Sequence, residues 1–147
     1  MIYIDRAVKA KVLSLAGVSA VIGADLYPDF IAQRVKKPAG TYSHAGIDRL
    51  EPLNGNQSKV KIDTFRLELT SKRDIDVVAM RHAIDRNLSG IQAAGRWDDG
   101  AEEGPVVTFC TIDDAATELE KDRVGGDENP RTLVCMITVT WIDEEQP

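Results

Sequence analysis

Aromatic residues make up only 5% of this 147-residue chain, and histidine occurs twice. So few rings leave no stacking platform for nucleic-acid bases, and a net charge of −6 leaves no basic stripe for a phosphate backbone. Cysteine is as scarce: Cys110 and Cys135 both sit in apolar, strand-like runs, where buried thiols are expected rather than a disulfide framework. No apolar run approaches the roughly 20 residues of a membrane-spanning helix. Met1-Ile2-Tyr3-Ile4-Asp5 has neither the basic region nor the apolar stretch of a signal peptide, so the cytoplasm is the expected compartment.

Chemical signatures are missing too. Gly125-Gly126 is not followed by the Lys-Ser/Thr of a phosphate-binding loop. His44 and His82 are far apart, His82 in a helical stretch, and no grouping of His, Cys, Asp or Glu has metal-ligand spacing. The acidic pairs Asp98-Asp99, Glu102-Glu103 and Asp113-Asp114 are the best candidates for acid–base or cation chemistry. Neighbours on a strand point to opposite faces, and a loop pair lacks the fixed geometry that proton transfer needs. No enzyme and no cofactor is therefore expected.

What is present is an α+β pattern on one domain spanning residues 1–147. Hydrophobic content of 43% and charged content of 29% are ordinary for a globular protein. The organising stretch is a long strand over Gln57–Thr70 followed directly by a helix over Lys72–Ser89. Val60 and Ile62 alternate with polar neighbours, and then Phe65, Leu67 and Leu69 do so on the other parity. One residue of slip flips every side chain, so a bulge near Asp63–Thr64, or a change of strand partner there, is expected. Ser71 is the expected helix N-cap. Val77, Met80, Ile84 and Leu88 recur at helical spacing with Ile75 and Val78 beside them, and Gly90 supplies the stop.

Ahead of this core, residues 4–16 form an amphipathic helix closed by Gly17, then a short apolar segment to Gly23, then a brief strand to Tyr27 cut off by Pro28. Asp29–Gly40 carries Phe30, Ile31, Arg34, Lys36 and Lys37 and is either a solvated loop or an arm that contacts a neighbour. A second strand is expected over Thr41–Leu50 and a turn over Pro52–Asn56. After Gly90 comes an acidic, glycine-punctuated loop ending in Asp98-Asp99-Gly100-Ala101-Glu102-Glu103-Gly104. Trp97 opens it, as a core plug at the loop base or as an interface anchor. Two further strands make a long C-terminal hairpin, with Val134, Met136 and Ile142 covering its second face at one end, and a frayed acidic tail follows. The expected fold is an antiparallel or mixed sheet of about four to five strands with two helices on one face.

Charge is distributed unevenly. Residues 1–97 sum to +5 and residues 98–147 to −11. These are either two differently solvated surfaces, or a basic face of one copy that meets an acidic face of the next.

Several stretches in order resemble the tail-terminator (tail-completion) proteins of long-tailed bacteriophages: the helix to Leu15 with Gly17-Val18, Val21-Ile22-Gly23, Leu26-Tyr27-Pro28, Pro38, Gly55, Val60-Lys61-Ile62-Asp63, and the helix through Ala79 and Ala83 to Leu88-Ser89-Gly90. The similarity spans about residues 8–90, and the hairpin fits in architecture. Lys37-Pro38-Ala39-Gly40-Thr41 departs from it, since family members often have an apolar strand directly after that proline. The resemblance implies a homo-hexameric ring, assembled in the bacterial cytoplasm and carried on the virion tail. The ring would cap the tail tube, stop its growth and offer a surface to a head-side connector protein, with no reaction catalysed and no membrane involved. A closed ring needs heterologous contacts, for which Phe30, Ile31, Arg34, Lys36, Lys37 and Trp97 are candidates. DNA would pass through without specific binding, past an acidic lining to which Asp98, Asp99, Glu102, Glu103, Asp122, Asp127 and Glu128 are candidates. A head–tail joining protein, or a ligand-binding or regulatory α+β domain, are the alternatives.

Overall fold

The computed structural model describes residues 3–29, 38–49, 60–100, 102–119 and 131–143. Three α-helices, α1 (Ile4–Ser14), α2 (Ala16–Ile22) and α3 (Asp74–Asn87), are joined by six strands. These are β1 (Leu26–Pro28), β2 (Ala39–Arg49), β3 (Val60–Ser71), β4 (Gly95–Arg96), β5 (Val106–Leu119) and β6 (Arg131–Ile142), with one 3-10 turn at Ile91–Ala93. The strands form one mixed sheet in the order β1-β2-β3-β6-β5-β4, parallel between β1 and β2 and antiparallel elsewhere. The α+β class and the C-terminal hairpin agree with the sequence pattern. There are more elements than expected: six strands instead of four to five, and three helices instead of two. The additions are short, which is why periodicity missed them.

The first helix is where the difference is largest. Leu15 takes an extended backbone, φ −77° and ψ 118°, and serves as both the end of α1 and the start of α2. Ala7, Val8 and Val12 of α1 and Val18 and Ile22 of α2 reach the core on either side of that break. Gly17 does not close a helix. It lies inside α2 because α3 is so near: a Cβ built on it would sit 2.6 Å from the Ala83 Cβ and 3.3 Å from the Ala79 carbonyl oxygen. The two backbones approach as closely as a glycine–alanine contact permits.

Strand β3 is the centre of the sheet, paired along its length with β6 and with β2. The expected bulge at Asp63–Thr64 is absent from it, since the register with β6 is unbroken from Val60–Ile142 to Ser71–Arg131. The irregularity lies across the ladder in β2, between His44 and Gly46. The change of parity has another cause. Odd positions face the core throughout, and Asp63 fills a place where an apolar residue was expected, so Val60 and Ile62 belong to the opposite face.

Phe65, Leu67 and Leu69 of β3 and Leu133, Cys135, Ile137 and Val139 of β6 form a buried face closed by Met80, Ile84 and Leu88 from the α3 region and by α2. Ile75 and Val78, expected beside the buried stripe of α3, are instead 64% and 55% exposed. Ser71 is the last residue of β3, two residues before the capping position, which Arg73 occupies. Its hydroxyl donates to Asp76 Oδ2 at 3.0 Å and accepts the Arg73 backbone N–H at 3.3 Å, which still ties strand to helix start. On the other face of the sheet, Val134 is buried beside Thr70 and Thr132, whose hydroxyls lie 3.0 Å apart, while Met136 and Ile142 are half-buried.

Cys110 stands opposite Val139 and Cys135 opposite Asp114, too far apart along the hairpin to bond, and both are buried thiols. Burial alone pushes the Cys110 thiol up to about 12. An aromatic disulfide reagent at pH 8 should leave Cys110 unmodified in the native protein and label it once denaturant unfolds the chain, because the thiolate is the reactive form. Gly17→Ala should cost about 1–3 kcal/mol by forcing α2 from α3. Urea unfolding monitored by circular dichroism would measure that loss.

Candidate functional site

The acidic loop was expected to be loose, and it is tied down. Asp99 and Glu102 exchange backbone hydrogen bonds of 3.1 and 3.0 Å around Gly100, whose φ of 61° suits glycine. Asp98 Oδ1 accepts the Gly104 N–H at 2.8 Å. Arg6 reaches across from α1 to Asp99 at 3.2 Å and to Glu102 at 3.9 Å. Arg96 donates to the Gly104 carbonyl at 2.9 Å and lies 3.4 Å from Glu103. The four lining candidates within this loop, Asp98, Asp99, Glu102 and Glu103, therefore have partners within the subunit, although Asp99, Glu102 and Glu103 stay accessible to solvent.

Trp97 anchors the base of this loop. It is 2% exposed, its indole N–H donates to the Ala93 carbonyl at 2.8 Å, and Lys11 of α1 lies 5.8 Å from the ring centre. It is a plug within the subunit, so the reading of Trp97 as an interface anchor is corrected: almost none of its surface is left for a neighbour. Phe30, Ile31, Arg34, Lys36, Lys37, Asp122, Asp127 and Glu128 lie outside the described residues.

Between α1 and the loop is a shallow cleft of about 250 Å³ lined by Arg6, Lys9, Ala10, Leu13, Tyr42 and Asp99. Burial, then the charges of Asp5 and Asp29, raise the Tyr42 hydroxyl above its ordinary value, with Arg6 opposing them. It stays protonated and neutral at physiological pH and can donate a hydrogen bond into the cleft.

A second polar constellation escaped the sequence reading. Asp63 is only 3% exposed. Its Oδ1 lies 2.7 Å from His44 Nε2 on β2, and its Oδ2 accepts the Trp141 indole N–H on β6 at 2.5 Å. The His44 ring is tilted against Phe65 with centroids 4.9 Å apart. One step further along, Lys61 pairs with Asp143 at 2.5 Å and its ammonium sits 5.6 Å from the Trp141 ring centre. Asp143, expected in a frayed tail, is thus fixed by β3. Both Asp63 oxygens are engaged, so this carboxylate closes the polar end of the core and cross-links three strands. Among the described residues, no group of three or more His, Cys, Asp or Glu is placed to hold a metal ion, and no helix is long and apolar enough to cross a membrane.

No protein-family model matches the chain, and no curated protein matches it.

The two polar sites should differ sharply in energy. Arg6→Ala removes a solvent-exposed pair and should cost less than about 1 kcal/mol. Asp63→Ala leaves a buried indole N–H without its acceptor and should cost about 1–3 kcal/mol. Parallel urea titrations of the two variants would check that ordering.

Proposed function

We propose that this chain is a tail-terminator (tail-completion) protein of a long-tailed bacteriophage or prophage. Six copies form a ring on the finished tail tube, end its elongation and offer the surface to which a head-side connector attaches. The work is geometric: no bond is made or broken, no cofactor is used, and DNA passes through without sequence-specific contact.

The observation that carries this reading is the order of elements. Leu26-Tyr27-Pro28 forms the short strand β1, Val60-Lys61-Ile62-Asp63 opens the central strand, and Leu88-Ser89-Gly90 ends α3 with Gly90 at φ 72°. A hairpin of 14- and 12-residue strands follows. These pieces stand in the same order along the chain as in the resemblance, which is what supports the reading.

The charge division supports the same reading. A rotationally closed ring joins one surface of each copy to a different surface of the next, and unlike charge on the two favours that contact over self-pairing. The basic half of the chain includes Arg34, Lys36 and Lys37, and the acidic half includes Asp113, Asp114 and Glu118.

Electron microscopy of the purified protein mixed with tail tubes tests the proposal. Density capping one end of the tubes, with sixfold symmetry when viewed end-on, is expected. Bare tube ends under saturating protein would overturn it.

A further inference from the structure

The sheet has two long edges that its own short edge strands do not cover. β1 pairs only with Gly40–Tyr42 of β2, and β4 pairs only with Val106 and Val107 of β5, with a further bridge from Gly90 to Cys110. The remainder of each strand, 43–49 of β2 and 111–119 of β5, meets no other strand on its outer side among the described residues. The orientation of the open groups can be read from the bonds beside them. The N–H and carbonyl of Cys110 both go outward to Gly90, so those of Ile112, two residues on in the same register, face the same edge. The Tyr42 carbonyl goes outward to Asp29, so the backbone groups of His44 do likewise. Unpaired edges of this kind are templates for another strand.

We propose that copies of this chain join by pairing the open edge of β2 in one copy with the open edge of β5 in the next, so that one sheet runs on from subunit to subunit. The inference rests on the ring reading above and names its contact. Four observations carry it.

Strand direction is the first. The four long strands β2, β3, β6 and β5 alternate in direction, so β2 and β5 run opposite ways. A rotation that carries one copy to the next therefore brings β5 beside β2 in an antiparallel pair. The second is stagger. The row through Gly46 continues through Thr64 and Thr138 to Thr111, whereas the middle of the open β5 edge is Ala115, four residues further on. Four residues across four strands is one residue per strand. With a rise near 3.3 Å and a strand spacing near 4.8 Å this corresponds to a tilt of roughly 35°, within the range of about 35–45° at which sheets close on themselves.

Charge is the third observation. The open β5 stretch carries Asp113, Asp114 and Glu118 and no basic residue, so two β5 edges repel each other. In the open β2 stretch Asp48 and Arg49 cancel, so it meets a β5 edge without the repulsion that a second β5 edge would bring. Unlike edges are favoured over like ones. The fourth is bulge placement. Both open stretches contain an unpaired residue, Ala45 and Ala115, against their inner partners. Such bulges bend an edge away from indiscriminate pairing and confine it to a partner of matching shape.

Amide hydrogen exchange on the full-length protein, alone and assembled on tail tubes, tests this contact. Residues 43–49 and 111–119 should exchange at least about tenfold more slowly when assembled. A pair of variants sharpens the test. Ile112→Pro removes the outward N–H without touching a bond to β6, while Ile112→Ala loses the same side-chain packing and keeps the N–H. Assembly should weaken at least tenfold more for Ile112→Pro than for Ile112→Ala, with both monomers retaining native circular dichroism. Capped tubes whose two edge stretches exchange as fast as in the lone subunit would overturn the edge pairing and leave the terminator reading standing. Uncapped tubes would overturn the terminator reading. The pairing would then fall as well if the protein stays monomeric at the highest concentration reached.

Discussion

Everything in this fold depends on β3 having a neighbour on each side and a covered face. Its backbone is satisfied along its length by β2 and β6, and Phe65, Leu67 and Leu69 bury one face completely. A strand in that position can slip by one residue only by turning all three large side chains to the wrong side, so its register fixes that of the whole sheet. The helices follow from it. α3 starts directly where β3 ends, held by Ser71, and α2 is pressed onto α3 through Gly17 and Ala83.

Asp63 is the cost of ending that core. A fully apolar face would leave no polar boundary at the His44, Asp63 and Trp141 positions of β2, β3 and β6. The chain instead places a carboxylate between a histidine and an indole, and a lysine–aspartate pair beyond it. The arrangement resembles part of a catalytic constellation in composition but differs in what its atoms are free to do. A carboxylate whose two oxygens are both occupied and which is almost wholly buried positions strands, and that is a structural role.

The parts of the fold with long, regular repeats were legible in the sequence: β3, α3 and the β5–β6 hairpin. Leu133, Cys135, Ile137, Val139 and Trp141 announce their strand by alternation alone. The errors arose where one residue acted against its type. Asp63 at a core position imitated a bulge, Gly17 inside a helix imitated a stop, and Leu15 broke a helix that its hydrophobicity appeared to continue. Gly95–Arg96 is too short to carry any period. In the site region the residue types were visible but not their partners. Arg6 lies 93 positions before Asp99 in the chain, and no local pattern joins them. A usable signal for Asp63 did exist: a lone acid among core-facing positions, with a histidine and a tryptophan in neighbouring strands able to bond it.

The pairing of β3 with β6 has a consequence for how the protein is made. Val60 finds Ile142 across 82 positions, and the ladder narrows to 60 positions at Ser71 and Arg131 (131 − 71). Contacts so distant in sequence form slowly, because the intervening segment must first be closed into a loop. During translation the helices and the β2–β3 pair can assemble early. The far edge of β3 must then wait, with its amides and its apolar face incompletely sheltered, until the ribosome has delivered residues 131–142.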